Sequence, residues 1–237
     1  MSESEQKFSL DVAEIFYSLQ GEGRYTGQVS VFVRLAGCNL RCFWCDTPYA
    51  LEKRQGRSMS VEQIVDRVGS YDCRHVVVTG GEPLIWPGLS LLLHELHTAG
   101  KFVTVETNGT QYRPIEADLV SISPKLANSV PKDGPHADFA RRHERARLNV
   151  EAIEAFMERH DYQLKFVVDA EEDLVEMEAI LGRLANLNRA NVMLMPQART
   201  KAAYRRAAPR VAQWCIERGL AFCPRLQVEL WGARRGR

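Results

Sequence analysis

The sequence predicts an α/β fold with a mainly parallel sheet, and three observations carry that prediction. Short β-rich runs alternate with amphipathic stretches of helical length, which is the rhythm of repeated βα units. At 237 residues and 45% hydrophobic content, the chain can bury one sizeable core and is too short for two enzyme domains, so a single domain over 1–237 is expected. The conspicuous motifs also cluster just past the ends of predicted strands, the edge at which barrels and open α/β sheets build their sites.

Taken in order, a strand at 30–35 leads to Cys38, and a helix follows at 60–68. The strand at 75–79 leads to Gly80-Gly81-Glu82-Pro83 and a helix at 88–99. Strands at 102–106 and 119–122 lead to Thr107-Asn108-Gly109 and Ser123-Pro124-Lys125. A helix within 141–160, a strand at 163–168, a helix at 171–184, a strand at 191–195 ending on Pro196-Gln197, and a helix at 200–218 complete the pattern. The charged segment 132–147 breaks it and reads as a solvated loop leading into a helix, with no function for His136 or His143. No internal repeat or low-complexity stretch is present.

Charge is balanced, 31 Lys plus Arg against 30 Asp plus Glu, so no global field favours nucleic acid or an anionic membrane. The basic tail 234–237 reads as a solvated terminus. Without a signal peptide or a long apolar run, the protein is expected to be soluble and cytoplasmic, which suits free thiols. Of the six cysteines, Cys73, Cys215 and Cys223 sit in apolar or helical surroundings and read as small buried hydrophobes.

Cys38, Cys42 and Cys45 are the informative ones, with three and then two residues between them. Three thiolates on one loop can hold three irons of a cubane and leave the fourth open. A zinc site wants four closed ligands, and the nearest further His or Cys in sequence is the isolated Cys73. A disulfide framework suits a short secreted chain, which this is not. The loop resembles the signature of the radical S-adenosylmethionine superfamily, in which the open iron chelates S-adenosylmethionine. The Gly80-Gly81-Glu82-Pro83 turn resembles the second motif of that superfamily, whose backbone and Glu hold the methionyl ammonium; the plainer alternative for Glu82 is a helix-start carboxylate ahead of the next segment.

Within that superfamily the resemblance narrows. The run Glu14-Ile15-Phe16-Tyr17-Ser18-Leu19-Gln20-Gly21-Glu22-Gly23, then Val31-Phe32-Val33-Arg34-Leu35-Ala36-Gly37-Cys38 and Cys45-Asp46-Thr47, is similar to the 7-carboxy-7-deazaguanine synthase family. Ser123-Pro124-Lys125 and Leu194-Met195-Pro196-Gln197 fit it too, so the likeness spans most of the chain. It implies a partial or distorted (β/α) barrel of the radical SAM type with a 4Fe-4S cluster at the mouth formed by the strand C-termini. It also implies a carbon–nitrogen lyase of queuosine biosynthesis that converts 6-carboxy-5,6,7,8-tetrahydropterin to 7-carboxy-7-deazaguanine with loss of ammonia. One electron delivered to the cluster would cleave S-adenosylmethionine, and the 5′-deoxyadenosyl radical would take hydrogen from pterin carbon 6 and return it after ring contraction, so that no residue of the chain need carry the radical. A reducing partner such as flavodoxin, a homodimer, and neither nucleic acid nor membrane belong to the same reading.

The resemblance assigns the residues as follows. Leu19, Gln20, Gly21, Arg34, Thr79 and Gln227 contact the pterin substrate; Gly81, Glu82, Ser123, Pro124, Lys125, Pro196 and Gln197 contact S-adenosylmethionine, with Phe43 and Trp44 flanking adenine and shielding the cluster. Thr47 contacts Mg²⁺, a hard ion that prefers oxygen, and Asp46 is the rival ligand because it carries the charge. Each residue also has a plainer reading. Gln20 would be solvated in a hairpin turn, Thr79 would satisfy local backbone, Lys125 would be a surface lysine, and Arg34, costly to bury unpaired, would meet an internal carboxylate. Segment 225–232 is expected to close the substrate pocket as a C-terminal strand, but Glu229 stands where the family places His or Lys, and an extension follows Gly232. Two rivals remain. A glycyl-radical-enzyme activase would need a groove for a polypeptide, and a non-enzymatic iron–sulfur electron carrier would need a fourth protein ligand.

Overall fold

Alternate residues of the central strands part to opposite faces, as the two-residue strand period requires. In the computed structural model, which describes residues 9–232 and 234–236, the outward set includes Val31, Val33, Leu35, Val76, Val78, Val103, Val105, Leu164, Phe166 and Val168, all fully buried in the main hydrophobic core. The inward set, Ser30, Arg34, His75, Thr79, Thr104, Ser121, Gln163 and Lys165, is polar and still inaccessible or nearly so. Burying each outward aliphatic side chain is worth about 1.5–3 kcal/mol, and this is what pins the register that aims the polar set inward.

The strands are β1 (Ser9–Leu19), β2 (Val29–Leu35), β3 (Arg57–Ser60), β4 (His75–Gly80), β5 (Phe102–Thr107), β6 (Leu119–Ile122), β7 (Tyr162–Val168), β8 (Val192–Pro196) and β9 (Ala221–Phe222). They form one sheet in the order β3-β1-β2-β4-β5-β6-β7-β8-β9, antiparallel at β3-β1-β2 and parallel from β2 onward. The sheet has two edges, β3 and β9, and is thus a partial barrel. The six predicted strands are present with their ends shifted by a residue; β1, β3 and β9 are additional.

Among the described residues, seven helices accompany the sheet: α1 (Val61–Gly69), α2 (Leu89–Thr98), α3 (Ala140–Ala146), α4 (Val150–Arg159), α5 (Glu171–Leu181), α6 (Lys201–Arg218) and α7 (Leu226–Trp231). Ser60 and Gln63 close a capping box on α1, which fixes its start one residue after the end of β3. The helix expected within 141–160 is two, because the Asn149 side chain accepts from Ala152 N–H and begins α4 afresh. Segment 225–232 forms α7 rather than a strand. Its Leu-Gln-Val-Glu alternation is too short to decide the period, and Val228 packs under Tyr204 and Ala198 as a helical residue. Among the described residues, no helix is long and apolar enough to cross a membrane.

The charged segment is not simply a solvated face. His143 on α3 is fully buried, its Nδ1 accepting from Arg41 N–H (3.1 Å) and its Nε2 meeting Ser129 Oγ (2.9 Å), so α3 clamps the cysteine loop that follows β2. Arg147 is buried as well, pairing with Glu144 and Glu176 and donating to Lys125 O. In the tail, Arg235 bonds Glu14 and Ala13 O, whereas Arg234 is exposed and Arg237 lies outside the described residues.

Burial and the nearby Arg147 hold the His143 imidazole down at about 4, against an ordinary value of 6.5. A histidine kept neutral by the fold leaves stability independent of its charge above pH 6.5; stability is lost as pH falls from 6.5 towards 4, where the unfolded chain takes the proton first. The unfolding midpoint of the protein is therefore expected to fall across that window, and His143→Gln should flatten this part of the pH profile in thermal denaturation. His143→Ala, which strands Arg41 N–H, is expected to cost about 1–3 kcal/mol at neutral pH.

Candidate active site at the carboxyl edge of the sheet

A cavity of about 220 Å³ opens where the strands of the parallel sheet end, and fifteen of the nineteen residues singled out in the sequence line it. β2 ends at Leu35, and the chain turns at Gly37 into the cysteine loop, whose backbone is held by Gly37 N–H to Ala50 O (2.8 Å), Cys38 N–H to Leu51 O (3.0 Å) and Phe43 N–H to Ser129 O (2.8 Å). Arg41 braces the loop from within by donating to Cys38 O and Leu40 O, both at 2.8 Å. The result is that Cys38, Cys42 and Cys45 all reach the cavity. Beside them the glycine turn runs so close that a Cβ at Gly81 would stand 2.3 Å from Gly37 O; only glycine fits there.

Burial pushes the Cys38 and Cys42 thiols up to about 12 and raises Cys45 as well, with Asp46 adding to the effect there. Metal-free, these groups are thiols, and a metal must displace their protons to bind. Lys125, whose own pKa burial lowers, sits where its charge favours the thiolate of Cys42. Among the described residues, no three His, Cys, Asp or Glu side chains gather as ligands of a single metal ion. A cubane does not ask for that, since each thiolate takes a different iron. Three half-buried thiols at one wall, with no histidine lining the cavity, suit a 4Fe-4S cluster with one iron open better than a closed zinc site.

The opposite wall is built from the row Arg34, Thr79, Glu106 and Ser121, set side by side by the parallel register. Arg34 Nε is held by Glu14 at 2.9 Å, and Tyr49 OH donates to the same carboxylate at 2.6 Å. Arg34 thus meets an internal carboxylate and lines the cavity at once. Thr79 donates to Glu106 (2.8 Å), and Gln20 Nε2 donates to the other Glu106 oxygen (3.2 Å). Gln20 is buried rather than solvated. Ser123 and Lys125 are joined, Lys125 Nζ donating to Ser123 O and Oγ at 2.6 and 2.7 Å, so Lys125 is no free surface lysine. Leu19, Gly21, Trp44, Thr47, Gln197 and Gln227 complete the predicted set on the wall.

Four predicted residues stand back. Phe43 is 54% exposed and flanks a neighbouring hollow, so Trp44 alone shields the cavity from that loop. Glu82 is fully buried and its oxygens are taken by Leu84 N–H, Thr107 Oγ1 and Asn108 N–H, which makes it the helix-start carboxylate that ties two strand ends together. Pro124 and Pro196 are buried behind the wall. Glu229 turns outward to Arg205 (2.6 Å).

A charged web at the inner wall escaped the sequence reading. Lys165 Nζ lies 2.8 Å from Glu22 and 3.7 Å from Glu106; Glu22 also accepts from Gln227 Nε2 (2.8 Å) and Arg225 Nε (3.4 Å), and Arg225 reaches on to Asp46. Burial alone would raise the Glu22 carboxyl, but Lys165 and Arg225 outweigh it and hold it at about 2, while burial's pull on Lys165 is more than offset by Glu22 and Glu106. The signal was there, since Lys165 interrupts an otherwise apolar strand just as Arg34 does. Gln227 Oε1 is left buried without a protein partner, and a Cβ at Gly21 would stand 1.8 Å from it. Of the other cysteines, Cys215 and Cys223 are buried as expected, Cys223 Sγ accepting from Gly23 N–H (3.1 Å), whereas Cys73 is only half-buried.

Comparison with known proteins places this architecture. The sequence model of the Radical SAM superfamily matches residues 33–170. A 7-carboxy-7-deazaguanine synthase of Rhodopirellula baltica is 41% identical over 229 residues, covering 96% of this chain and 89% of that protein. The enzyme of the same name from Halobacterium salinarum is 42% identical over 233 residues, covering 94% and 91%. The crystal structure of QueE from Escherichia coli superposes with a TM-score of 0.70 at 25% identity, over 94% of this chain and 98% of that one. With likeness of this extent in sequence and in fold, and with three thiols at the mouth of a partial barrel, the chain belongs to the 7-carboxy-7-deazaguanine synthase family of the radical SAM superfamily.

Proposed function

We propose that this enzyme converts 6-carboxy-5,6,7,8-tetrahydropterin to 7-carboxy-7-deazaguanine with loss of ammonia, in queuosine biosynthesis. The observation that carries the reading is a single cavity in which the three-thiol loop faces a wall of Gln20, Arg34, Thr79 and a buried, unpartnered Gln227 oxygen. Cys38, Cys42 and Cys45 would hold the 4Fe-4S cluster, which with bound S-adenosylmethionine supplies hydrogen-atom abstraction from the substrate and its return.

The chain's own residues bind, orient and exclude water. Arg34, its Nε fixed on Glu14, leaves the rest of its guanidinium for the substrate carboxylate. Gln227 Oε1 offers an acceptor to a ring N–H, and Glu22, kept ionised by Lys165 and Arg225, and the neighbouring Glu106 face the donor-rich edge of the pterin. Ser123 and Lys125 face the S-adenosylmethionine side beside Cys42. Thr47 Oγ1 meets Cys45 Sγ only at a long 3.8 Å, whereas Asp46 is engaged by Arg225, which favours Thr47 for Mg²⁺. A flavodoxin-like reductant, a homodimer and an intracellular location belong to the same reading.

A polypeptide-activating enzyme would need an open groove, yet α7 closes this side through Leu226 N–H to Gly21 O (2.9 Å). An electron carrier would need a fourth ligand that the cavity does not offer. The deciding experiment is anaerobic incubation of reconstituted protein with 6-carboxy-tetrahydropterin, S-adenosylmethionine and a reductant, with chromatographic detection of the deazaguanine acid.

Each of Cys38→Ala, Cys42→Ala and Cys45→Ala is expected to lose the intact cluster and all S-adenosylmethionine cleavage, while Cys73→Ala and Cys215→Ala retain about four irons per chain; iron analysis reads both. Arg34→Lys keeps charge but loses the planar fork, so apparent substrate affinity should weaken about tenfold with iron content unchanged. Chelating Mg²⁺ should depress turnover reversibly, and Thr47→Val should reproduce the loss; full turnover by that variant in metal-free buffer would exclude Thr47 as the ligand.

A further inference from the structure

The segment that follows α7 returns to the substrate wall at Glu14, a carboxylate with three donors. Its Oε1 accepts from Arg34 Nε (2.9 Å) and from Tyr49 OH (2.6 Å), and its Oε2 accepts from Arg235 Nε (3.2 Å). Glu14 faces this way because of a bulge in β1. The register against β2 shifts between Val12 and Glu14, which leaves Ala13 without a partner residue on either neighbouring strand. Leu10 and Val12 lie in the main core and Ile15 packs against it, so the extra residue turns Glu14 and Phe16 to the opposite face, where Glu14 pairs with Arg34 and Phe16 lines the cavity. Arg235 is fitted to the same irregularity. Its Nη2 donates to the carbonyl of the bulged Ala13 (2.9 Å), and its guanidinium lies 4.4 Å over the ring of Tyr49, two residues beyond Thr47.

We infer that Arg235 is a positioning residue for Arg34: by holding Glu14 Oε2 it denies Arg34 a two-point pair with that carboxylate and keeps the Nη groups of Arg34 for a carboxylate bound in the cavity. The inference rests on the proposed function, which gives Arg34 to the substrate carboxylate. Guanidinium and carboxylate pair most strongly through two parallel N–H···O bonds, and an arginine satisfied in that way has less to offer a ligand. Here Arg34 reaches Glu14 through Nε alone, and among the described residues its Nη1 and Nη2 donate no hydrogen bond. Arg34 and Arg235 set two cations against the one carboxylate of Glu14, so a bound carboxylate completes the balance where Arg34 and Glu14 are largely buried. Stability is a poor reason for the contact. The Arg235 side chain is 58% exposed, and ion pairs with a solvated member add little to the folded state.

The test compares Arg235→Gln with the parent, both reconstituted with the cluster and supplied with S-adenosylmethionine. Binding of 6-carboxypterin, followed by calorimetry, should weaken about five- to tenfold, while binding of pterin, which lacks the carboxylate, stays the same. Turnover of 6-carboxy-tetrahydropterin should show the same rise in KM, with kcat within about twofold of the parent. Arg235→Lys, which can still occupy Oε2, should recover most of the loss. Because Arg235 acts through Glu14, Arg235→Gln should change nothing further in a Glu14→Gln background. Arg234→Gln, at the exposed neighbouring residue, should behave as the parent. Unchanged binding of 6-carboxypterin, equal weakening of both ligands, or an additive loss in the Glu14→Gln background would each overturn the positioning role. A loss of iron in Arg235→Gln, or an unfolding midpoint lowered by more than about 4 °C, would overturn it too, by making Arg235 a structural residue. Failure of the parent itself to bind 6-carboxypterin or to turn over its tetrahydro form would instead count against the proposed reaction.

Discussion

Lys165 on β7 and Glu22 in the turn after β1 meet at 2.8 Å inside the barrel, joining segments 143 residues apart. Neither charge is tolerable there alone, since removing one partner of a buried pair typically costs about 3–5 kcal/mol. The consequence is topological. The β1–β2 turn belongs to one flank of an open sheet, yet its tip is drawn across the interior to the other flank, where Arg24 N–H bonds Gln163 (2.8 Å), Gly23 N–H bonds Cys223 and Gly21 O takes Leu226 N–H. The sheet never closes by strand pairing; this turn closes it. Gln20 and Gly21 reach the cavity because the turn crosses it.

A buried ion pair is weak evidence for stability, so its presence asks for another reason. The electrostatics supply one. Lys165 and Arg225 keep Glu22 ionised where burial alone would raise its carboxyl, and Lys165 also lies 3.7 Å from Glu106, so this wall presents acceptors, with Arg34 and Lys125 as the separate cationic poles of the site. A substrate that is donor-rich on one edge and anionic on another is recognised by that asymmetry. The buried His75, held between Ser30 Oγ (2.7 Å) and Thr104 Oγ1 (3.1 Å), sits at the start of β4, away from the cavity lining.

How much of this was legible in the sequence depended on whether the cause was local. The six parallel strands announced themselves because valine-rich runs buried on both sides need no partner to be recognised. Cys38, Cys42 and Cys45 could be placed together because one loop carries them. β3 and β9 could not be seen, for strands of four and two residues exist only where a neighbour pairs with them. Glu82 was read towards the ligand, and its three donors, two of them from the strand end after β5, turn it inward; Phe43 was read as shielding and stands outside. His143 sat in a run of charges, and nothing local distinguishes it from a solvated histidine until α3 is laid on the cysteine loop.

The cofactor wall and the substrate wall are one mechanical unit. Arg225, buried at the start of α7, holds Asp46 of the cysteine loop with one end of its guanidinium and Glu22 with the other, while Gln227 two residues on bonds the same Glu22. A shift of the cysteine loop pulls on Asp46, hence on Arg225 and on the Glu22 that it shares with Gln227, whose Oε1 is buried without a protein partner. Residues sharing partners in one network do not contribute additively, so the loss from disturbing Asp46 and Gln227 together cannot be the sum of the separate losses. In the proposed reaction, the cofactor side and the substrate side of the cavity would therefore share Arg225 as one common support.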